Sequence, residues 1–491
     1  MNHIKIDPER ILCSIDRNIF GGYLEKGIYN GIYSPDSPVA DRDGLRTDVL
    51  QALKRMNQPN IRFGGNFFSG YRWIDGVGPR QERVSRHDLA WNSIVSNQFG
   101  TNEFIGFCRK LGAEPYMNVN CGDGDMREAG DWLEYCNGTG NSALANLRRL
   151  HGYQQPHKVK YWSIGNEVDG PWQIGYKTPQ EYARAATEFA KVMKWVDPDI
   201  QLVASAVSLW ENNPYNYKTE WIERTRLILE QAGNHIDYLA LHCYAHLHID
   251  DPFETYMAYA ADLNERLSAY EGLIKAVSLE RGIKHNIGIA VDEWAVMRFN
   301  FRQKMILNLE DTLVTAQYLN SFIRHASSVR IANFPLMLWS IGINLARQVD
   351  SVLLESTFYP FELYSRTCGS VVLDVDWFGD TFSGTYLNHE FKGIRTLDVA
   401  ATMDEARKQL VVYIINQSKD NALETTLSLT SGEFSGEVKA SVINGPDIKA
   451  ENTDENPNCV VTREKILRAS GKSMNFTFEP HSVTALECAI S

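Results

Sequence analysis

The stretch YWSIGNE, residues 161–167, ends an apolar run on Gly165, Asn166 and Glu167. With Val159 and Lys160 before it, the run reads as a strand covered on both faces. A carboxylate at the tip of a buried strand loses hydration, which is unfavourable unless something there uses it. A second stretch, NIGIAVDEW (286–294), ends the same way on Asp292 and Glu293.

Working outward, six further β-rich runs share this continuous texture: IFGGYLE (19–25), NIRFGGN (60–66), AEPYMNVN (113–120), QLVASAV (201–207), IDYLALHCY (236–244) and VRIANFPLML (329–338). Continuous rather than alternating hydrophobicity is the mark of parallel strands buried on both sides. Helical patterns separate them. GLRTDVLQALKRM (44–56), TNEFIGFCRKLG (101–112) and EDTLVTAQYLNSFIRHA (310–326) repeat apolar residues at spacings of three and four. TPQEYARAATEFAKVMKWV (178–196) adds a Thr cap, a Pro in the first turn and an early acid. Eight strands alternating with helices predict an α/β fold, a (β/α)₈ barrel. Past residue 380 the texture changes to short strands with turn signals, as in KQLVVYIINQS (408–418) and MNFTFEPHSVTALECAI (474–490). That predicts a C-terminal antiparallel β-sandwich domain. The opening HIKIDPERILCSI (3–15) can supply it with a strand. The expected organisation is a catalytic barrel over 18–378 and a sandwich built from 1–17 plus 379–491.

The length of 491 residues suits a barrel plus a smaller module, and 44% hydrophobic residues suit a globular chain. The formal net charge of −12 argues against nucleic acid as a partner, because phosphate binding needs clustered Lys and Arg. Eight scattered Cys without a C-x-x-C pair fit reduced thiols in a cytoplasmic protein. The N-terminus lacks a basic n-region and an apolar h-region, and no run approaches a membrane span, so neither a leader nor a membrane partner is expected.

In such barrels the active site gathers at the C-terminal ends of the strands. The fourth and seventh strands lie across the barrel from each other, so Glu167 and Glu293 can face one another over its mouth. Two opposed carboxylates suit glycoside hydrolysis: one protonates the leaving oxygen, the other attacks the anomeric carbon. Mutual repulsion and partial burial push their pKa values apart. A separation of about 5–5.5 Å retains the anomeric configuration and one of about 6.5–9.5 Å inverts it. The competing reading is that each Glu ends a strand and pairs with an Arg.

These residues resemble glycoside hydrolase family 51, whose best-known members are α-L-arabinofuranosidases. The resemblance covers most of the barrel and is carried by FGGYLE, RFGGNFFSGYRWIDGVGPR, NQFGTNEFIGFCRKLGAEPY, YCNG, YWSIGNEVDGPWQIG, LHCY, VDEW and FYPFELYS. It implies a retaining barrel hydrolase with a C-terminal β-sandwich, no metal or organic cofactor, a small carbohydrate substrate and a homo-oligomer, often a hexamer. It implies Glu167 as acid/base and Glu293 as nucleophile. Asn166 would bond the sugar 2-hydroxyl, and Tyr244 would steady the nucleophile. Glu25, Arg62 and Asn66 would hold the sugar, with Trp91 and His242 lining the pocket.

Each has a structural alternative: an ion pair for Arg62, a turn for Asn66, loop core for Trp91, a satisfied core histidine for His242. Trp294 reads as packing. The His residues of LHCYAHLH (241–248) lack the acidic partners of a zinc site. The chain also departs from the family pattern. Ala295 and Met297 stand in DEWAVM where members carry an amide and an aromatic, and residues 332–342 read ANFPLMLWSIG. Glu355, assigned to the binding set, stands where members tend to have Gln. These departures bear on sugar specificity. The expectation is release of terminal α-L-arabinofuranosyl residues from arabino-oligosaccharides. The alternatives are another furanoside, a β-xyloside or a β-glucan, or a non-catalytic sugar-binding barrel.

Overall fold

The computed structural model describes residues 2–25, 31–209, 220–248, 250–298, 307–336, 341–342, 350–406 and 408–491. Eight parallel strands close into a barrel: Gly21–Glu25, Asn60–Gly64, Glu114–Val119, Tyr161–Ile164, Gln201–Val207, Tyr238–Leu247, Gly288–Arg298 and Val329–Pro335. They pair in chain order, and the eighth returns to the first through Asn333 beside Gly21. All eight runs read from sequence form the barrel. Ile19 and Phe20 belong instead to a 3₁₀ turn, Arg17–Phe20, and residues 337–338 lie outside the described residues.

Each strand is followed by helix. Pro179–Val196 begins as its sequence predicts: Thr178 Oγ1 accepts from the Glu181 amide, and the Glu181 side chain returns to the Thr178 amide. This reciprocal bond satisfies two donors that a helix start otherwise exposes. Tyr116, Tyr161, Val203, Ala240, Ala290 and Ile331 point inward from six successive strands and fill the barrel's interior. The centre is thus a packed core, and the chemistry is confined to the mouth.

The second module is a nine-stranded sheet. Its pairings are antiparallel except one: Asn2–Ser14 runs antiparallel to Val371–Phe378 on one side and parallel to Leu423–Leu429 on the other. Sequence placed the module's start after residue 378. Val371–Phe378 already belongs to this sheet, because Val371 and Leu373 alternate into its core beside Ile4 and Ile6. That core draws on all nine strands, so the sheet folds over itself. The opposite face packs on the barrel helices. Tyr413 stacks on Tyr364 at 4.0 Å between ring centroids, and Asn320 donates to Asp398 at 3.0 Å. A separate hairpin, Thr381–Tyr386 with His389–Arg395, lies along the helix Phe253–Arg281. No described helix is long and apolar enough to cross a membrane.

Candidate active site

At the end of the fourth strand the backbone turns sharply. Gly165 has φ +80°, and a Cβ there would press on Cys121 and Val168 at 2.8 and 2.7 Å. Glu167 itself has φ +44°, a left-handed conformation unfavourable for a residue with a side chain. The strain turns the Glu167 side chain back over the mouth. Three donors meet it: Trp172 Nε1 at 2.6 Å, Gln173 Nε2 at 3.2 Å and His242 Nδ1 at 2.9 Å.

The seventh strand solves the same problem differently. Its register against the sixth strand slips between Ala290 and Glu293, where three residues oppose two. This bulge lets the sequential Asp292 and Glu293 both face the barrel, which strict alternation forbids. Glu293 Oε1 accepts from Arg62 at 2.7 Å and Oε2 from the Tyr244 hydroxyl at 2.7 Å. Asp292, fully buried, takes Arg62 Nε at 3.1 Å and the Tyr116 hydroxyl at 2.9 Å. Arg62 is therefore both the ion-pair partner and part of the mouth. Its remaining nitrogen donates to Asn166 Oδ1 at 2.7 Å, and Asn166 passes the network on to Asn66 at 3.1 Å.

His242 sits between the acids. Besides Glu167, its Nδ1 lies 3.5 Å from Glu293, and its Nε2 lies 3.4 Å from Asp292. It is buried, yet it is not an ordinary core histidine. Burial opposes its charge, but Glu293, Asp292 and Glu167 outweigh this and hold it well above its usual pKa. Burial likewise opposes charge on Glu167, and His242, Trp172 and Gln173 reverse the effect, leaving this carboxyl below its usual range. Repulsion between the two acids predicts that one of them is raised; at Glu167 the bonds from His242, Trp172 and Gln173 override burial and the shift is downward.

Glu25, at the tip of the first strand, accepts from Trp91 Nε1 at 2.7 Å and from the Phe67 amide at 3.1 Å. Burial and the nearby Glu293 charge push its pKa up to about 8. Gly65 is required beside it, since a Cβ there would meet the Glu25 carboxyl at 2.4 Å. Trp91 is 46% exposed, so it is a rim residue and not loop core. Glu355 is buried in the segment leading to the helix Phe358–Thr367, whose Phe358 amide donates to its carbonyl at 3.0 Å. The bonds described above do not run through it. Trp294 packs among Tyr318, Phe322, Phe334 and Phe361. Ala295 and Met297 continue the seventh strand beside Tyr244 and His246.

Sequence reading missed Trp172, Gln173, Asp292 and Tyr116 as members of this cluster. Trp172 and Gln173 lie just beyond Glu167, where a turn brings them back. Asp292 was hidden by the bulge. Ligating atoms of Glu167, His242 and Glu293 lie within 4.8 Å of one another, the spacing at which a cation could be held. Here those atoms are engaged in the hydrogen bonds given above. The same figure bounds the distance between one oxygen of Glu167 and one of Glu293.

Comparison with known proteins identifies the family. Residues 52–259 match the family model of the α-L-arabinofuranosidase 1 domain, and residues 292–482 that of the α-L-arabinofuranosidase C-terminal domain. An intracellular exo-α-(1→5)-L-arabinofuranosidase of Bacillus subtilis is 34% identical over 97% of both chains. The crystal structure of an α-L-arabinofuranosidase from Thermotoga maritima, an arabinose complex, is 35% identical with a TM-score of 0.89 over 99% of both chains. A family 51 α-L-arabinofuranosidase from Thermotoga petrophila is 34% identical with the same score, covering 99% of this chain and 100% of its own. This chain belongs to the α-L-arabinofuranosidases of glycoside hydrolase family 51.

Proposed function

We infer that the protein is an exo-acting α-L-arabinofuranosidase that releases terminal arabinofuranosyl residues from arabino-oligosaccharides with retention, by double displacement. One observation carries the mechanism: a carboxylate oxygen of Glu167 and one of Glu293 lie within 4.8 Å of each other, with His242 in reach of both. That proximity favours the shorter of the two separations, about 5–5.5 Å, at which the anomeric configuration is retained.

Glu293 attacks the anomeric carbon, aligned by Arg62 and Tyr244, which bind one oxygen each. Glu167 delivers a proton to the departing oxygen. Its supply is His242, 2.9 Å away. The charge of Glu293 helps keep that proton on His242. As Glu293 forms its bond to the sugar, this charge is consumed, one of the three carboxylates that hold the charge of His242 is lost, and the proton moves toward Glu167 and the leaving group. Attack and protonation are thereby coupled through one imidazole. In the second half, Glu167 takes a proton from a water that attacks from the face the aglycone left, opposite Glu293, and the proton returns to His242 as Glu293 regains its charge. Asn166, Asn66, Glu25 and Trp91 are taken to ring the sugar, and Glu355 is assigned to the same binding set on the family resemblance alone. A homo-hexamer and a cytoplasmic location complete this reading; the B. subtilis relative carries the word intracellular in its name.

A panel of 4-nitrophenyl glycosides tests it. The α-L-arabinofuranoside is expected to turn over fastest, and proton NMR is expected to show the α-anomer of arabinose first. Turnover of a β-xyloside or β-glucoside without the arabinofuranoside would overturn the substrate assignment. First release of the β-anomer would overturn retention. Light scattering on the eluted protein tests the hexamer.

A further inference from the structure

The hairpin Thr381–Arg395 is used by neither sheet nor barrel, yet its placement is tightly fixed. Gly384 lies so close to the helix Phe253–Arg281 that a Cβ would meet the Glu254 carbonyl at 2.4 Å. Tyr386 is buried, packs edge-on against Tyr259 at 5.2 Å, and its hydroxyl accepts from the His246 amide at 3.0 Å. His246 is two residues beyond Tyr244 on the sixth strand, so the hairpin's tip reaches the barrel mouth. Tyr386 pairs with His389, leaving a turn of two residues, Leu387 at φ +46° and Asn388 at φ +66°. Turns of this form favour Asn and Gly, because both positions are left-handed. A leucine there is strained, and strain that persists points to a use for the side chain.

Leu387 is partly buried and lines a narrow cavity that reaches two residues bonded to the acids. Its other walls include His242, Tyr244, His246, Leu209 and Tyr259. His242 is the residue bonded to Glu167, and Tyr244 the one bonded to Glu293. Burial drives the His246 pKa down to about 4, and Asp262 and Arg266 at the far wall neutralise each other at 2.6 Å. This wall beside the mouth is therefore uncharged on balance and partly apolar, and His242, bonded to Glu167, forms part of it.

We propose that Leu387, at the tip of this hairpin, is a specificity-determining residue that packs against the leaving group, selecting neutral ring-bearing aglycones such as a second sugar or an aryl group. The proposal rests on the arabinofuranosidase reading above. The test is Leu387→Gly, which removes the side chain while giving the turn a residue suited to its backbone, so folding is preserved or improved. kcat/KM is measured for methyl, 4-nitrophenyl and arabinosyl α-L-arabinofuranosides, with arabinose inhibition as a readout of the sugar site alone. The expected result is a loss of roughly tenfold for the two ring-bearing aglycones. The methyl glycoside and the arabinose inhibition constant remain within about twofold, and Tm is unchanged or higher. An equal change on all three substrates, or none, would overturn the role of Leu387. Wild-type protein inactive on all three would instead overturn the underlying function and this inference with it.

Discussion

The two glutamates at the barrel mouth have the same chemistry and opposite settings. Glu293 lies inside a continuous strand, re-aimed by a bulge, with the permanent charge of Arg62 on one oxygen and Tyr244 on the other. Glu167 lies past the end of its strand, in strained backbone, among Trp172, Gln173 and a histidine that can exchange a proton with it. A nucleophile must be held still and kept charged, whereas an acid/base must change its protonation twice per turnover. Partner type, more than burial, separates the roles, since both side chains are nearly inaccessible.

This contrast can be broken most directly at Glu293. Glu293→Ala is expected to reduce kcat on the order of 10⁵-fold for good and poor leaving groups alike; a mild loss in a stopped assay would deny it the nucleophile's place. Glu167→Ala is expected to lose about 10²–10⁴-fold on methyl or sugar aglycones, and far less on 2,4-dinitrophenyl arabinofuranoside, which needs no proton. Equal losses on both would erase the distinction between the two settings. Tyr244→Phe removes one bond to a charged oxygen, a loss of about 1.5–3 kcal/mol or roughly 10- to 100-fold in kcat. A KM effect without a kcat effect would place Tyr244 on the sugar instead.

The smallest effect concerns a third carboxyl that belongs to neither setting. Glu25, raised to about 8, keeps its proton in the folded state where the unfolded chain has lost it. Between about pH 4.5 and 8 the native state binds more protons, so this group's contribution to stability declines as pH rises. Glu25→Gln is expected to flatten that decline and add on the order of 1–3 kcal/mol at pH 8 relative to pH 5. Thermal melts at both pH values check this; a steeper decline in the variant would reverse the sign.

The barrel was legible because parallel strands buried on both faces leave long apolar runs, and because YWSIGNE and IAVDEW stop on acids. The partners of those acids were less so. Register slips are invisible to alternation, so Asp292 read as a neighbour of Glu293 when the bulge in fact places both inward. Trp172 and Gln173 stood in plain view, but only the turn after Gly165 returns them to Glu167. The strand Val371–Phe378 was absorbed into the barrel although Leu373, Val375 and Trp377 alternate with Asp374 and Asp376 as in a half-buried strand, because the change of texture was placed later in the chain. The strain at Leu387 was not legible, since Asn388 alone hints at the turn and the leucine before it reads as strand.

The β-module is assembled from distant parts of the chain: His3 pairs with Phe378 and with Thr426. On a ribosome the segment Asn2–Ser14 emerges long before either partner exists. It must wait, unpaired, while the intervening barrel is made and folds. Contacts of such long range are slow to form, and an exposed strand edge invites association with other chains. The seven residues of Leu423–Leu429 that receive it thus act as a late lock, joining the earliest-made segment to one of the last and sealing the barrel between them.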